Sequence, residues 1–143
     1  MRVLVTGGTG YIGSTAVEVL MNQGFEISIL DDCSMGHADT VPAGVRFVQG
    51  SLLKSDEVAD ALTGCDAVMH FAGKSLVGES VEKPDLYHSV NVSGTRILLD
   101  EMRKQSINKI VFSSSAATYG EPKVVPILET SETIPTNPYG ATK

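Results

Sequence analysis

The sequence predicts an α/β fold built on a doubly wound parallel sheet. Short apolar runs rich in β-branched residues alternate with stretches of helical periodicity, which is the pattern of a parallel sheet with crossover helices. A glycine-rich turn, residues 7–13, joins the first apolar run directly to the first helix. Right-handed crossovers between the strands then give the doubly wound arrangement. The length suits a single domain, so we predict one domain over residues 1–143.

The expected elements can be placed from the apolar pattern and its flanking signals. Gly24 closes the first helix and Ser55 caps the second. The third helix is amphipathic, and its charged residues, Glu101 among them, are expected on an exposed face. The strands are predicted at residues 2–6, 25–30, 45–49, 67–71 and 109–113, and the helices at residues 11–22, 55–62 and 84–104.

The composition argues against several classes of partner. The formal net charge is −6 and there is no basic run, which disfavours nucleic acid or an anionic membrane as a partner. Cys33 and Cys65 lack the spacing of a metal site, so we predict free thiols and no bound metal. No segment approaches the roughly 18 apolar residues of a membrane span, and the N-terminus lacks the features of a signal peptide. We therefore expect a cytoplasmic protein without a membrane partner.

The glycine-rich turn contains two overlapping patterns, Gly8-x-Gly10-x-x-Gly13 and Gly7-x-x-Gly10-x-x-Gly13. Glycine is needed here because the backbone must turn tightly, approach a pyrophosphate closely and pack helix against strand. The N-terminus of the following helix offers free N–H groups to the phosphates. Asp31, 18 residues past Gly13, is placed to bind a ribose 2′-hydroxyl group. Since no Arg or Lys follows Asp31 within five residues to receive a 2′-phosphate, the pattern favours NAD over NADP.

A second pattern lies near residue 140, where Asn137 and Pro138 predict the start of a helix. Tyr139 and Lys143 are four residues apart and would share one face of that helix. A lysine ammonium group near a phenol favours the phenolate, which makes a general base usable near neutral pH. Alone, the pair also fits a solvated surface turn. Behind a dinucleotide-binding turn it favours a catalytic pair.

These motifs resemble those of the extended short-chain dehydrogenase/reductase superfamily and, within it, the UDP-glucose 4-epimerases. The resemblance covers the whole chain and implies a Rossmann-type fold. It rests on the turn TGGTGYIG at 6–13, Asp31, HFAG at 70–73, VGES at 77–80, NVSGT at 91–95, FSSSAATYG at 112–120 and YGATK at 139–143.

The resemblance also implies roles for individual residues. Tyr139 would take the proton from the sugar 4-hydroxyl group, Lys143 would hold the nicotinamide ribose, and Ser115 would hydrogen-bond the reacting oxygen. Asn91 would brace the site. The implied cofactor contacts are Gly7, Gly10, Tyr11, Ile12, Gly13, Asp31, Asp32, Ser34, Ser51, Leu52, Phe71, Ala72, Gly73, Lys74, Asn91, Ser113, Tyr139 and Lys143.

The sequence departs from the family pattern in three places. Ser51 and Leu52 stand where relatives usually place Asp and an aliphatic residue beside adenine. Lys74 follows Gly73 directly, whereas many epimerases place this lysine one residue later. Thr15 replaces a histidine found in many relatives, and nothing in the sequence explains that change.

The expected activity is NAD-dependent epimerisation at C4 of a UDP-hexose, such as the interconversion of UDP-glucose and UDP-galactose. Another nucleotide-sugar epimerase, a dehydratase or a decarboxylase is the alternative. Dehydratases carry an Asp-Glu pair, and decarboxylases a Glu, at the positions of Ala116 and Ala117, which cannot transfer protons.

A different class of function is a non-catalytic NAD-binding module. Family members are more than twice as long, and their remaining part supplies the UDP-sugar pocket and much of a homodimer interface. We therefore expect the 143-residue chain to resemble the N-terminal portion of an epimerase and to be inactive alone.

Overall fold

The computed structural model describes all residues, Met1–Lys143, and divides into two compact units. The first unit comprises residues 1–72 and 94–113, and the second comprises residues 73–93 and 114–143. All five strands lie in the first unit. The second unit is built from short helical segments and loops.

The five strands form one parallel sheet in the order β3-β2-β1-β4-β5. This confirms the predicted parallel α/β sheet, and the ends of the strands differ from the predicted ends by no more than one residue. The strands are β1 Arg2–Thr6, β2 Glu26–Asp31, β3 Arg46–Gln49, β4 Ala67–His70 and β5 Ile110–Phe112.

The helices are α1 Tyr11–Asn22, α2 Ser55–Leu62, α3 Val77–Glu82, α4 Pro84–Tyr87, α5 Gly94–Lys104 and α6 Pro138–Ala141. Short 3₁₀ turns cover Ala38–Thr40 and Ala116–Tyr119, and a π-helical segment covers His88–Ser93. None of these helices is long and apolar enough to cross a membrane.

Both faces of the sheet are covered, as the doubly wound prediction requires. Successive residues of a strand point to opposite faces, so Leu4 packs in a cluster with α2 and α5, whereas Val3 and Val5 pack in a second cluster with Val17 of α1. Helix α1 is terminated by Gly24 as predicted, because its φ of 81° turns the chain so that the following N–H group, that of Phe25, donates to the Leu20 carbonyl oxygen at 3.1 Å. Because the strands are parallel, the carboxyl ends of β1, β2 and β4 lie at the same edge of the sheet.

Two predictions that concern α2 and its contact with α5 are wrong: the cap at Ser55 and the exposure of Glu101. Ser55 does not cap the helix, because it is the first helical residue and Lys54 is the N-cap. The Ser55 hydroxyl group instead donates to the carboxylate of Glu101 at 2.6 Å. Glu101 is therefore buried rather than exposed, and its hydrogen bonds with Lys104 and Ser55 hold the pKa of its carboxyl group below the usual range. A pairing between distant helices leaves no trace in the local sequence pattern.

The single helix predicted over residues 84–104 is likewise modified. Its middle, His88–Ser93, is a π-helix, and α4 and α5 flank it. Such segments place a side chain outside the regular helical register and occur often at functional sites. This π-helical segment contains Asn91, whose side chain forms hydrogen bonds with Lys74 and Thr142. Helix α3 was not predicted, because its sequence, VGESVE, has too few turns to show a helical period.

Candidate active site

At two positions of the glycine turn, Gly7 and Gly13, a side chain would collide with nearby backbone atoms. Gly7 has a φ of 71°, and a Cβ atom there would lie 2.6 Å from the backbone nitrogen of Ala72. A Cβ atom at Gly13 would collide with the carbonyl oxygen of Gly7. These two glycines are therefore required for the turn to fold and for α1 to lie close to β1.

Gly10 is different, because nothing in the fold requires a glycine there. It is the N-cap of α1 with an ordinary φ of −79°, and a Cβ atom would meet only the Gly7 carbonyl oxygen at 3.5 Å. No side chain caps the helix and its first turn has no acidic residue. The positive end of the α1 dipole is thus uncompensated and accessible, flanked by the exposed side chains of Tyr11 and Ile12. This arrangement fits a phosphate group approaching the backbone.

Asp31 ends β2 and is nearly buried, at 9% exposure. One carboxylate oxygen accepts the N–H of Thr9 at 3.0 Å, and the other accepts the N–H of Cys33 at 2.8 Å. Each oxygen keeps a further lone pair for a ligand hydroxyl group. Asp31 therefore also ties the glycine turn to the end of β2.

Thr9 links the glycine turn to the end of β2 and the loop after it, a structural role that the sequence did not reveal. It is 2% exposed, and besides its bond to Asp31 its carbonyl oxygen accepts the N–H of His37 at 3.2 Å. A Cβ atom at Gly36 would collide with Thr9, so the loop after β2 packs directly on the glycine turn. Threonine inside a glycine-rich turn carries no distinctive signal for such a role.

The predicted adenine-side residues are held by α2. The Ser51 N–H group donates to the Glu57 carboxylate at 2.7 Å, and the Ser51 hydroxyl group accepts the N–H of Leu53 at 3.2 Å. Hydrogen bonds from Lys54 and from the Ser51 backbone hold the pKa of Glu57 below its usual range. The Leu52 side chain is buried in the core beside Gly94. Contact of Ser51 and Leu52 with adenine stays a prediction.

The other predicted cofactor residues of the first unit follow β2, β4 and β5. The exposed Asp32 accepts the Ser34 N–H group at 2.8 Å. After β4, the Phe71 N–H group donates to the Thr6 carbonyl oxygen, and the Ala72 N–H group donates to the Thr6 hydroxyl group. The Ser113 N–H group donates to the His70 carbonyl oxygen at 3.1 Å.

His70 has a packing role, as its place at the end of β4 suggests. It is 1% exposed, with Nδ1 2.6 Å from the Thr6 hydroxyl oxygen and Nε2 2.9 Å from that of Thr95. Its ring lies 5.5 Å from that of Phe112. No group of three histidine, cysteine or acidic side chains is arranged to hold a metal ion.

The second unit brings the predicted catalytic residues onto adjoining segments. Asn137 caps α6 as predicted, accepting the Gly140 N–H group at 2.8 Å, with Pro138 in the first helical turn. Ser115 caps the 3₁₀ turn Ala116–Tyr119 through its hydroxyl group. A Cβ atom at Gly140 would collide with the Ala117 carbonyl oxygen. The turn that carries Ser115 is therefore in direct backbone contact with the helix that carries Tyr139.

Lys143 follows α6 and is half-buried. Its N–H group donates to the Gly140 carbonyl oxygen, and its own carbonyl oxygen accepts the Ser114 hydroxyl group. Burial lowers the pKa of the Lys143 ammonium group. The backbone of Lys143 is thus tied both to α6 and to the serine-rich segment.

Asn91 links two segments of the second unit through its side chain. Its amide oxygen accepts the Lys74 N–H group at 2.8 Å, and its amide nitrogen donates to the Lys74 carbonyl oxygen and the Thr142 hydroxyl group. A Cβ atom at Gly73 would lie 3.0 Å from the Asn91 oxygen. Asn91 therefore joins the 73–74 loop to the end of α6. Contact of Gly73 and Lys74 with a cofactor stays a prediction.

The sequence model of the NAD dependent epimerase/dehydratase family matches residues 3–143. The chain belongs to this family. Among curated members, it is 52% identical over 145 residues to the UDP-glucose 4-epimerase of Corynebacterium glutamicum. That match covers 100% of this chain and 44% of the relative, so the chain spans less than half the length of that family member.

Solved structures of UDP-glucose 4-epimerases are also similar. That of the Brucella ovis enzyme in complex with NAD has a TM-score of 0.95 and 42% identity, over 99% of this chain and 44% of that one. That of the Thermotoga maritima enzyme with UDP-glucose has a TM-score of 0.95 and 31% identity, over 100% of this chain and 48% of that one. The Rossmann-type fold is therefore shared with these family members.

Proposed function

We propose that the whole protein is an NAD-dependent 4-epimerase of UDP-hexoses, interconverting UDP-glucose and UDP-galactose. In this proposal residues 1–143 form its NAD-binding domain and also carry the groups that transfer the substrate proton. Family membership and the activity named for similar proteins support the reaction class. We also propose that the whole protein is a homodimer, which its sedimentation in solution would test.

The observation that carries the proposal is the backbone contact between Gly140 and Ala117 in the second unit. It joins the turn of Ser115 to the helix of Tyr139, so that a hydroxyl donor and a phenol belong to one packed assembly. A general base must be held within hydrogen-bond reach of the proton that it removes. Direct backbone packing fixes the two groups more firmly than contacts between flexible side chains would.

The proposed proton transfer follows from this arrangement. Tyr139 removes the proton of the sugar 4-hydroxyl group, and Ser115 donates a hydrogen bond to the same oxygen. Lys143, whose ammonium pKa is lowered by burial, binds the ribose of the cofactor. The proton returns from Tyr139 to the oxygen once the configuration at C4 has inverted.

The cofactor is proposed to be held by the first unit. The open N-terminus of α1 at Gly10 would bind its pyrophosphate, and Asp31 would bind its adenosine ribose. When bound, NAD would accept the C4 hydride and return it to the opposite face of the sugar. The remaining predicted contacts, from Tyr11 to Ser113, would line the same cofactor.

The alternatives differ in the protons they must move. Dehydration or decarboxylation requires acid and base groups besides the tyrosine. The turn between Ser115 and Tyr119 begins with Ala116 and Ala117, whose side chains are methyl groups. This favours a reaction that only oxidises and reduces one carbon. A non-catalytic NAD-binding module is the second class, and the presence of Ser115, Tyr139 and Lys143 argues against it.

The reaction can be tested directly on the whole protein by incubating it with UDP-galactose and separating the nucleotide sugars. Appearance of UDP-glucose, with NAD still bound and no net NADH released, supports the proposal. Water loss to a 4-keto-6-deoxy sugar would support a dehydratase. NAD binding without turnover of any UDP-sugar would support the non-catalytic module.

Replacing Asp31 by asparagine is expected to weaken NAD binding about 10- to 100-fold, because a charged hydrogen bond to the ribose is lost. The asparagine amide has only one oxygen, so it can accept from Thr9 or from Cys33 but not from both. The hydrogen bond that is lost should lower the free energy of unfolding by about 1–3 kcal/mol. Fluorescence titration with NAD and urea unfolding of the chain measure both effects.

The matched control is Asp39→Asn, because Asp39 is exposed and makes no hydrogen bond through its side chain. It should leave NAD binding and stability unchanged. Unaltered NAD affinity in Asp31→Asn would contradict the proposed ribose contact.

A further inference from the structure

Tyr139 is the second residue of α6, so its N–H group has no acceptor within the helix. The N-cap residue, Asn137, serves the N–H group of Gly140 instead. The acceptor for Tyr139 comes from α3, where the Ser80 hydroxyl oxygen lies 3.1 Å from the Tyr139 nitrogen. The first turn of α6 is thus completed by a residue 59 positions away in the sequence.

Ser80 is itself held in one orientation. It is 0% exposed, and its hydroxyl group donates to the Val77 carbonyl oxygen at 2.6 Å. With its proton committed to Val77, the oxygen presents a lone pair to the Tyr139 N–H group. The position of the Tyr139 backbone therefore depends on the first turn of α3.

The ring of Tyr139 has a second neighbour, Tyr87 of α4. The two ring centroids are 6.4 Å apart at an interplanar angle of 83°, an edge-to-face arrangement. Tyr87 is completely buried. A rigid aromatic wall of this kind limits the rotation of the Tyr139 side chain.

The Tyr87 hydroxyl group is held by Leu76 and Glu79. It accepts the Leu76 N–H group at 3.0 Å, and its single proton is shared between two acceptors, the Leu76 carbonyl oxygen at 2.7 Å and the Glu79 carboxylate at 3.0 Å. Glu79 also forms a salt bridge with Lys83. These contacts all belong to α3, α4 and the loops that flank them.

We propose that Ser80 and Tyr87 are positioning residues for Tyr139, with Ser80 fixing its backbone and Tyr87 fixing its ring. The proposal rests on the proposed function, in which Tyr139 is the general base. It assigns to α3 and α4 the task of holding that base, without contact between these two residues and the substrate. Misplacing a catalytic group by about 1 Å lowers the rate by up to about 100-fold, so small movements of Tyr139 are expected to matter.

The first test uses Ser80→Ala in the 143-residue chain. Amide hydrogen exchange of Tyr139, followed by NMR, is expected to accelerate about tenfold because the N–H group loses its acceptor. The control is Ser89→Ala, a half-buried serine of the same unit whose side chain makes no hydrogen bond. Equal exchange of Tyr139 in wild type and Ser80→Ala would overturn the assignment of Ser80. This readout does not depend on any activity.

The second test compares Tyr87→Phe with Tyr87→Leu in the whole protein, at a temperature where both are fully folded. Leucine removes the aromatic wall, and kcat for the sugar conversion is expected to fall about tenfold or more with KM unchanged. Phenylalanine keeps the ring beside Tyr139 but loses the hydroxyl contacts, so kcat should fall less than in Tyr87→Leu. Equal losses in both variants, or a loss confined to KM, would overturn the assignment of Tyr87.

Failure of the proposed function gives a different pattern. If the wild-type protein converts no sugar, the epimerase proposal fails, but the hydrogen-exchange test still shows whether Ser80 fixes the Tyr139 backbone. NMR of the Tyr139 ring signals then shows whether Tyr87 fixes the ring. Faster flipping of the Tyr139 ring in Tyr87→Leu than in Tyr87→Phe supports the positioning role, and wild-type flipping rates in both variants overturn it.

Discussion

Replacing Tyr139 by phenylalanine is expected to lower kcat for UDP-galactose conversion by about 100- to 10,000-fold, the range typical of a lost general base. The change removes only the hydroxyl group. The ring remains against Tyr87, and the Tyr139 N–H group keeps its bond to Ser80, so the fold should be intact. Steady-state kinetics on the whole protein measure the loss, and KM should change little.

The matched control is Tyr119→Phe. Tyr119 lies in the same unit and is half-buried, but its hydroxyl group makes no hydrogen bond. Its conversion rate should equal that of the wild type. NAD bound per protein should also be unchanged in both variants. A Tyr139→Phe protein that retains wild-type kcat would exclude Tyr139 as the base.

The second large effect is expected for Gly13→Ala. The new Cβ atom would collide with the Gly7 carbonyl oxygen and lie 2.8 Å from the Gly8 Cα atom, and both are backbone atoms that cannot rotate away. The free energy of unfolding should fall by about 3 kcal/mol, at the upper end for overpacking. NAD binding should be lost, since the turn must open to relieve the collision. Urea unfolding and NAD titration of the chain measure the two effects.

Two further glycine variants separate folding from binding. Gly78→Ala, in α3 with open space around the new Cβ atom, should leave NAD binding unchanged and raise the free energy of unfolding by at most about 1 kcal/mol. Gly10→Ala should fold normally, because its Cβ atom meets only one atom at 3.5 Å, but it should bind NAD at least about tenfold more weakly because the phosphate can no longer approach the backbone. Tight NAD binding by Gly10→Ala would contradict the proposed pyrophosphate position.

The sequence was most informative where structure is local. The strand β1, the glycine turn and α1 were predicted to the residue, because apolar periodicity, glycine chemistry and Gly24 as helix terminator act within about one turn of each other. The cap of α6 at Asn137 was predicted for the same reason. In each case one short segment contains the whole physical cause.

What the sequence did not show are pairings between distant segments. The bond from Ser55 to Glu101 spans 46 residues and that from Tyr139 to Ser80 spans 59. Neither serine differs in local context from a solvated one. The π-helix at Asn91 was also missed, because its side chain bonds to Lys74 and Thr142 are tertiary contacts that no helical period encodes.

The central claim is that this site oxidises and reduces one and the same carbon of a UDP-hexose. It is tested most directly by giving the whole protein UDP-galactose that carries deuterium at C4. We expect UDP-glucose with the deuterium retained at C4, since the hydride removed from that carbon is returned to it. Loss of the label to solvent, or a product that has lost water, would exclude this mechanism.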